Sequence, residues 1–192
     1  MGLKRLIVFS GLTTGLGACA SAPEPMLYTL APPSADAGRS TESATLIGLS
    51  EITLPSYARN PQITTAISSY QISEDDNHRW ASPPSEAISE RLSAILETEV
   101  GAHVLLRPYP NGVRPDLRLT ISFTRLLRSD TGGAELAGQY VITELDGGVS
   151  VDRFSIFVGA EGPGYVGYMA AVSNGLDRLG EMIASRIDAN DT

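Results

Sequence analysis

An α+β fold, one mixed or mostly antiparallel sheet with two amphipathic helices packed on one face, is predicted by three observations. Two segments carry apolar stripes at helical spacing, at residues 88–100 and 169–187. Residues 117–123 alternate strictly between apolar and polar, as a strand with one buried face does. Two glycine-bearing turns, Thr131-Gly132-Gly133 and Asp146-Gly147-Gly148, then join that strand to two more, which describes an antiparallel meander. Strands, helix, strands, helix is the α+β order.

Taken along the chain, Leu27-Tyr28-Thr29-Leu30 reads as a brief strand, and 31–44 as a Pro, Ser, Ala and Gly loop without periodicity. Leu46 to Leu54 is β-rich and stops at Pro55; Gln62 to Ile72 favours a strand or hairpin arm. The first helix takes Ser82 as N-cap, Pro83 at its first position and Glu86 in its first turn. Ile88, Leu92, Ile95, Leu96 and Val100 form its stripe, and Gly101 ends it. His103 to Arg107 follows as a short strand. Leu117, Leu119, Ile121 and Phe123 face one side of the next; Leu136 to Leu145 and the Phe154, Ile156, Val158 run complete the meander. After Gly162-Pro163-Gly164, Met169, Val172, Leu176, Leu179, Ile183 and Ile187 mark a long terminal helix. Gly175 and Gly180 each weaken it by up to about 1 kcal/mol, so tertiary packing has to hold it.

The amino terminus has a different character. Lys4 and Arg5 precede an uncharged apolar run that closes at Leu16-Gly17-Ala18-Cys19. A basic start, a short apolar stretch and small residues at the cut describe a secretory signal. About 12 such residues cannot cross a hydrocarbon core of roughly 30 Å as a helix. With Cys19, the only cysteine of the chain, directly after the small residues, the segment looks like a bacterial lipobox. That likeness implies cleavage between Ala18 and Cys19, and a diacylglycerol thioether and an N-acyl chain on Cys19. Ala20 and Ser21 follow, where Asp is the usual signal for inner-membrane retention, so the expected destination is the periplasmic face of the outer membrane. The division is then a signal peptide at 1–18, a lipidated tether at 19–26 and a domain at 27–192.

Composition excludes several functions. The chain has 14 basic and 22 acidic residues and a formal charge of −8, which loss of Lys4 and Arg5 deepens by two. That balance argues against nucleic acid as a partner. One cysteine and two histidines leave no cofactor or metal expected. Asp75-Asp76-Asn77-His78 has metal-ligand residue types but reads as a solvated turn, since four consecutive residues rarely converge on one ion. His103 reads as a strand-end histidine. Gly159 to Gly164 precedes a helix, yet Glu161 and the lack of a nearby Lys or Arg oppose anion binding there. Glu97 and Glu99 lie two apart and point to different helix faces. No Gly-x-Ser-x-Gly nucleophile elbow is present, so no catalytic residue is assigned. Trp80 is either buried support at the helix entrance or a partner contact. Arg125 and Arg128 are either a solvated strand end or a polar rim for a partner.

The ordered landmarks resemble a known family. Tyr28-Thr29-Leu30 follows the lipobox, then come Leu54-Pro55-Ser56-Tyr57, Pro61-Gln62-Ile63, Arg79-Trp80-Ala81 before the first helix and Ala171-Val172-Ser173 in the last. This is similar to the PqiC group of ABC-type transport auxiliary lipoproteins over nearly the whole mature chain. Ser82-Pro83-Pro84 departs from it where members more often carry an acidic residue and Leu. The resemblance implies a non-catalytic outer-membrane lipoprotein that receives an MCE-domain protein of an intermembrane phospholipid transport system, as a homo-oligomeric ring. It gives Arg79 and Trp80 the role of launching the first helix and Cys19 that of anchor. The other reading is a structural or assembly lipoprotein of a different envelope complex.

Overall fold

The computed structural model describes residues 24–31, 45–50 and 52–190. In chain order the elements are β1 (Met26–Tyr28), β2 (Leu46–Leu49), a 3-10 turn (Ser56–Arg59), β3 (Gln62–Ser68), β4 (Gln71–Trp80), α1 (Pro84–Glu99), β5 (His103–Leu106), β6 (Leu117–Arg128), β7 (Ala134–Glu144), β8 (Val149–Val158) and α2 (Gly164–Asn190). The fold is α+β with a mixed sheet, as the patterns predict.

β6 is the axis of that sheet. On one flank lies the antiparallel meander, β6 to β7 to β8. On the other flank two segments share its length. β2 runs parallel to Leu117–Leu119 and carries β5 on its far side, while β3 meets Arg128 through Thr65 and continues as a hairpin into β4. β1 adds to β4 in parallel, with Met26 opposite His78 and Tyr28 opposite Trp80. Leu119, Ile121 and Phe123 are buried as the alternation requires, and Phe123 meets Phe154 of β8 edge to face at 5.2 Å. A bulge between Phe123 and Arg125 then resets the pattern, so that Leu126 and Leu127 are both buried. That is why regular alternation stops at residue 123 while the strand itself runs on to 128.

Three expectations need correction. The β-rich run 46–54 is regular strand only to Leu49, although the chain keeps following β6: the Ser50 N–H donates to the Leu119 carbonyl and Thr53 bridges Ser122. The first helix starts at Pro84, and its N-cap is Pro83 in a non-helical conformation with no side-chain cap. Ser82 is therefore one residue too early to be the N-cap, because Pro83, which itself precedes a proline, is kept out of the helical region. Residues 75–78 are not a turn. They belong to β4, where Gln62 pairs with Arg79 and the next residue, Ile63, pairs with Asp75. Asp76, Asn77 and His78 are extra residues in a bulge, tied by the Asn77 N–H donating to Asp75 Oδ1 at 2.9 Å.

Both helices cover the sheet and each other. Ile88, Leu92 and Leu96 of α1, and Val172, Leu176, Leu179 and Ile183 of α2, are fully buried. The two α2 glycines sit where the layers approach closest. A Cβ on Gly180 would strike Ile95 of α1, and one on Gly175 would lie 2.9 Å from Leu136 of β7. The helix-propensity loss is thus exchanged for close packing.

One cation crosses this interface. Arg91 of α1, 8% exposed, donates through Nη2 to both carboxylate oxygens of Asp177 of α2 at 2.8 Å. Its Nη1 reaches the Ala31 carbonyl at 2.6 Å and its Nε the Ser173 carbonyl at 3.3 Å. It therefore joins α1, α2 and the segment after β1. Arg91→Met should lower unfolding free energy by about 2–4 kcal/mol, since charge-assisted hydrogen bonds contribute about 1.5–3 kcal/mol and two carbonyls lose their donor. Leu92→Ala and Leu176→Ala should each cost about 2–5 kcal/mol. Denaturant titration checks all three, and near-neutral values would overturn this packing.

Candidate functional site

The mount of the amino-terminal strand is the most elaborated polar site. Tyr28 of β1 bonds His78 Nδ1 through its hydroxyl at 2.7 Å. The His78 ring stacks on Tyr165, in the first turn of α2, at 3.9 Å between centroids and 18°. Tyr165 donates its hydroxyl to Asp75 Oδ2 at 2.7 Å, and the Arg128 guanidinium lies 5.1 Å over its ring. The β4 bulge makes this possible, because in regular strand Asp75 and His78 would point to opposite faces. Burial and then the Asp75 hydrogen bond push the Tyr165 phenol up to about 12, so it is a neutral donor. The same bond holds the Asp75 carboxyl below its ordinary 3.8.

The backbone closes the junction from below. The Ala81 N–H donates to the Tyr28 carbonyl at 2.8 Å, and the Trp80 N–H to the Pro61 carbonyl at 2.7 Å. Tyr57, in the turn after Pro55, accepts from the Leu126 N–H at 3.4 Å. Landmarks scattered from residue 28 to 81 thus meet at one corner of the sheet.

A second feature is a groove of about 700 Å³ at the amino end of α1. Leu49, Ile52, Leu106 and Pro108 supply its apolar surface, Glu86 and Glu90 of α1 two carboxylates and Arg107 a guanidinium. Its volume falls in the range of small-molecule or side-chain pockets, about 300–1,000 Å³.

The residues singled out in the sequence divide between these places and others. Asp75, His78 and Arg128 come together at the mount; Asp76 and Asn77 do not join them. Arg128 faces the Tyr165 ring, and its buried Nε has no hydrogen-bond partner among the described residues. Arg125 forms an ion pair with Glu135 of β7 at the surface. Trp80 is 6% exposed and packs in the core, which removes its ring from any partner surface. His103 is exposed at the start of β5. Ala18 and Cys19 lie outside the described residues. Sequence reasoning missed Tyr165 and the groove, which is assembled from β2, α1 and β5. It also missed Arg91, although a charged residue three after Ile88 and one before Leu92 falls on the apolar stripe and was a signal.

Comparison with known proteins now decides the family. A model of the ABC-type transport auxiliary lipoprotein component family matches residues 28–184. The chain belongs to this family. It is accordingly an envelope lipoprotein of a transport system's auxiliary class. No curated protein matches the chain. The crystal structure of an uncharacterized protein superposes with a TM-score of 0.72 at 18% identity, covering 86% of this chain and 99% of that one. A Xanthomonas campestris protein superposes at 0.61 with 15% identity, covering 87% and 97%. At such identities these likenesses establish the fold. Among the described residues, no helix is long and apolar enough to cross a membrane.

Asp75 gives this corner a defined pH response. Its carboxyl is depressed in the fold, so its stabilisation is full above the ordinary 3.8 and is lost as pH falls through the folded value. Tyr165→Phe removes the hydrogen bond. The thermal midpoints of native and variant protein should differ by a constant amount above about pH 5 and converge only as the pH falls below 3.8 and through the lower folded value. A gap unchanged at acid pH would show that the Asp75 bond does not stabilise the fold.

Proposed function

We propose that this protein is a lipid-anchored, non-catalytic accessory subunit of an MCE-type phospholipid transport system, held at the periplasmic face of the outer membrane. The family match over residues 28–184 is the observation that carries the reading. The lipobox-like Leu16-Gly17-Ala18-Cys19 supports acylation of Cys19, with Ala20 and Ser21 favouring outer-membrane sorting. From Cys19 the tether ends at Met26, the first residue of β1, and at about 3.3 Å per residue it spans at most about 23 Å. The domain is therefore held against the bilayer.

Non-catalytic character is supported by the state of the polar groups at the mount. The Tyr165 phenol, near 12, is no base at neutral pH, and the Asp75 carboxylate is occupied by the Tyr165 donor. Its core of interlocked side chains leaves no lipid-sized passage through the described domain. Lipid then has to pass between copies or along a partner's channel, which favours a closed homo-oligomer docked on an MCE tube.

Full-length protein isolated from membranes is expected to carry palmitate label and to bring an MCE-domain protein with it. Cys19→Ala should abolish the label and release the protein from the outer-membrane fraction. Retained label on the variant would refute the anchor. A pull-down free of MCE protein, from cells that make one, would refute the transport partnership and leave a scaffold role in another envelope complex.

A further inference from the structure

We propose that the free edge of β8 is a docking strand: it receives an extended, acidic segment of a partner protein, which adds one more strand to the sheet. This surface is separate from the anchor and does not rest on the transport reading above.

An open sheet edge is a template for pairing with other chains, so proteins blunt the edges they do not use. The other edges of this sheet are blunted. β1 has three residues and β5 four, with Pro108 close behind. β4 beyond β1 is broken by its bulge and carries Glu74, Asp75 and Asp76. β8 differs. It pairs with β7 alone, over ten residues with no shift in register and no proline. The Phe157 carbonyl accepts from Arg178 Nη1 of α2 at 3.4 Å, so it points away from β7. By the two-residue period of a strand, the N–H and C=O groups of Val151, Arg153 and Ser155 point the same way. Among the described residues, no strand pairs with them.

Backbone groups in a row call for an extended backbone, and the side chains say what it should carry. Phe154 and Val158 are buried on the helix side of β8, while Val149 at 64%, Val151 at 57% and Phe157 at 56% lie exposed on the opposite face. Apolar side chains at alternate positions of an added strand would cover them. Charge then defines the occupant. Arg153 stands in the middle of that exposed row, and none of the three ion pairs among the described residues uses it. Asp152 faces the other way and pairs with Arg186 of α2. Gln139, opposite Arg153 on β7, brings no charge. An acidic residue on the incoming strand supplies the missing partner, and the net charge of −8 opposes docking of the same segment elsewhere. A second copy fits badly. β8 against β8 in full antiparallel register sets Arg153 opposite Arg153, and the remaining edges are too short or bulged to match ten regular residues.

The test uses full-length protein in detergent micelles and a blocked peptide, Val-Thr-Val-Thr-Glu-Thr-Val-Thr-Val, as the added strand. Amide hydrogen exchange followed by NMR should slow about tenfold or more at Val151, Arg153 and Ser155 when the peptide is added. Ser150, Asp152 and Phe154, whose amides already face β7, should not change. Arg153→Glu should weaken the peptide about fivefold, and a peptide with Lys in place of Glu should recover that loss on the variant. Val151→Pro removes one outward N–H and should abolish binding, with the inward amides of β8 still protected as proof that the strand is intact. Unchanged exchange at the three outward amides under a large excess of peptide would overturn the docking strand. Equal affinity of the Glu and Lys peptides for native protein would overturn the acidic partner. Slow exchange at those amides before any peptide is added would mean that another copy or the chain itself already covers the edge, and would overturn the proposal too.

Discussion

The architecture hangs on Arg91. A single guanidinium at the centre of the helix layer fixes the angle and register of α1 against α2 and ties both to the segment that follows β1. Its partner carboxylate is 40% exposed, so one end of the pair keeps contact with water and the desolvation cost is smaller than for a fully interior pair. The carbonyls of Ala31 and Ser173 accept from Nη1 and Nε, so each of the three guanidinium nitrogens has a partner. An apolar residue there would hold the layers together but would let one helix slide on the other. With Arg91 in place, Gly180 and Ile95 can approach at a single register. The small residues Ala171 and Ser173, both buried, let the α2 backbone come within reach of the cation.

What was legible in the sequence, and what was not, follows from the range of the interactions. The stripes of α1 and α2 and the meander of β6, β7 and β8 are set by residues near in sequence, and periodicity reports such patterns directly. The β4 bulge is not of that kind. Asp75-Asp76-Asn77-His78 is polar and turn-like in isolation, and it is held in a sheet by β3, which pairs with Asp75 and Arg79, and by β1, which pairs with His78–Trp80 from about 50 positions upstream. Ser82 misled for a different reason: the motif for a capped helix was present, but two successive prolines moved the start by one residue.

The functional features divide the same way. A lipobox is linear, because processing enzymes read an extended segment, and so the likeness to one stands out at Leu16 to Cys19. The mount needs Tyr28, Asp75, His78, Arg128 and Tyr165 from four elements, and the landmarks around it, Tyr28, Pro61, Trp80 and Ala81, are joined by backbone hydrogen bonds that no linear pattern reports. Those residues look like a signature of family membership because they build one corner. Arg128, a surface charge on paper, is used internally against Tyr165. Trp80 is core.

These findings limit where function can reside. The aromatic and ionisable groups that usually advertise chemistry are committed to one another at the mount, and the interior is filled by the two helix stripes. What stays uncommitted is surface: an acidic exterior, a groove beside α1 and an uncharged apolar hairpin. An acidic exterior discourages contact with anionic headgroups and with other copies alike, so any stable contact has to concentrate at the patches that escape that charge. In the proposed reading, a lipid anchor on Cys19 and a tether of at most about 23 Å would hold every copy at one height above its membrane. Such confinement to a plane would raise the effective concentration of the protein for any partner anchored beside it.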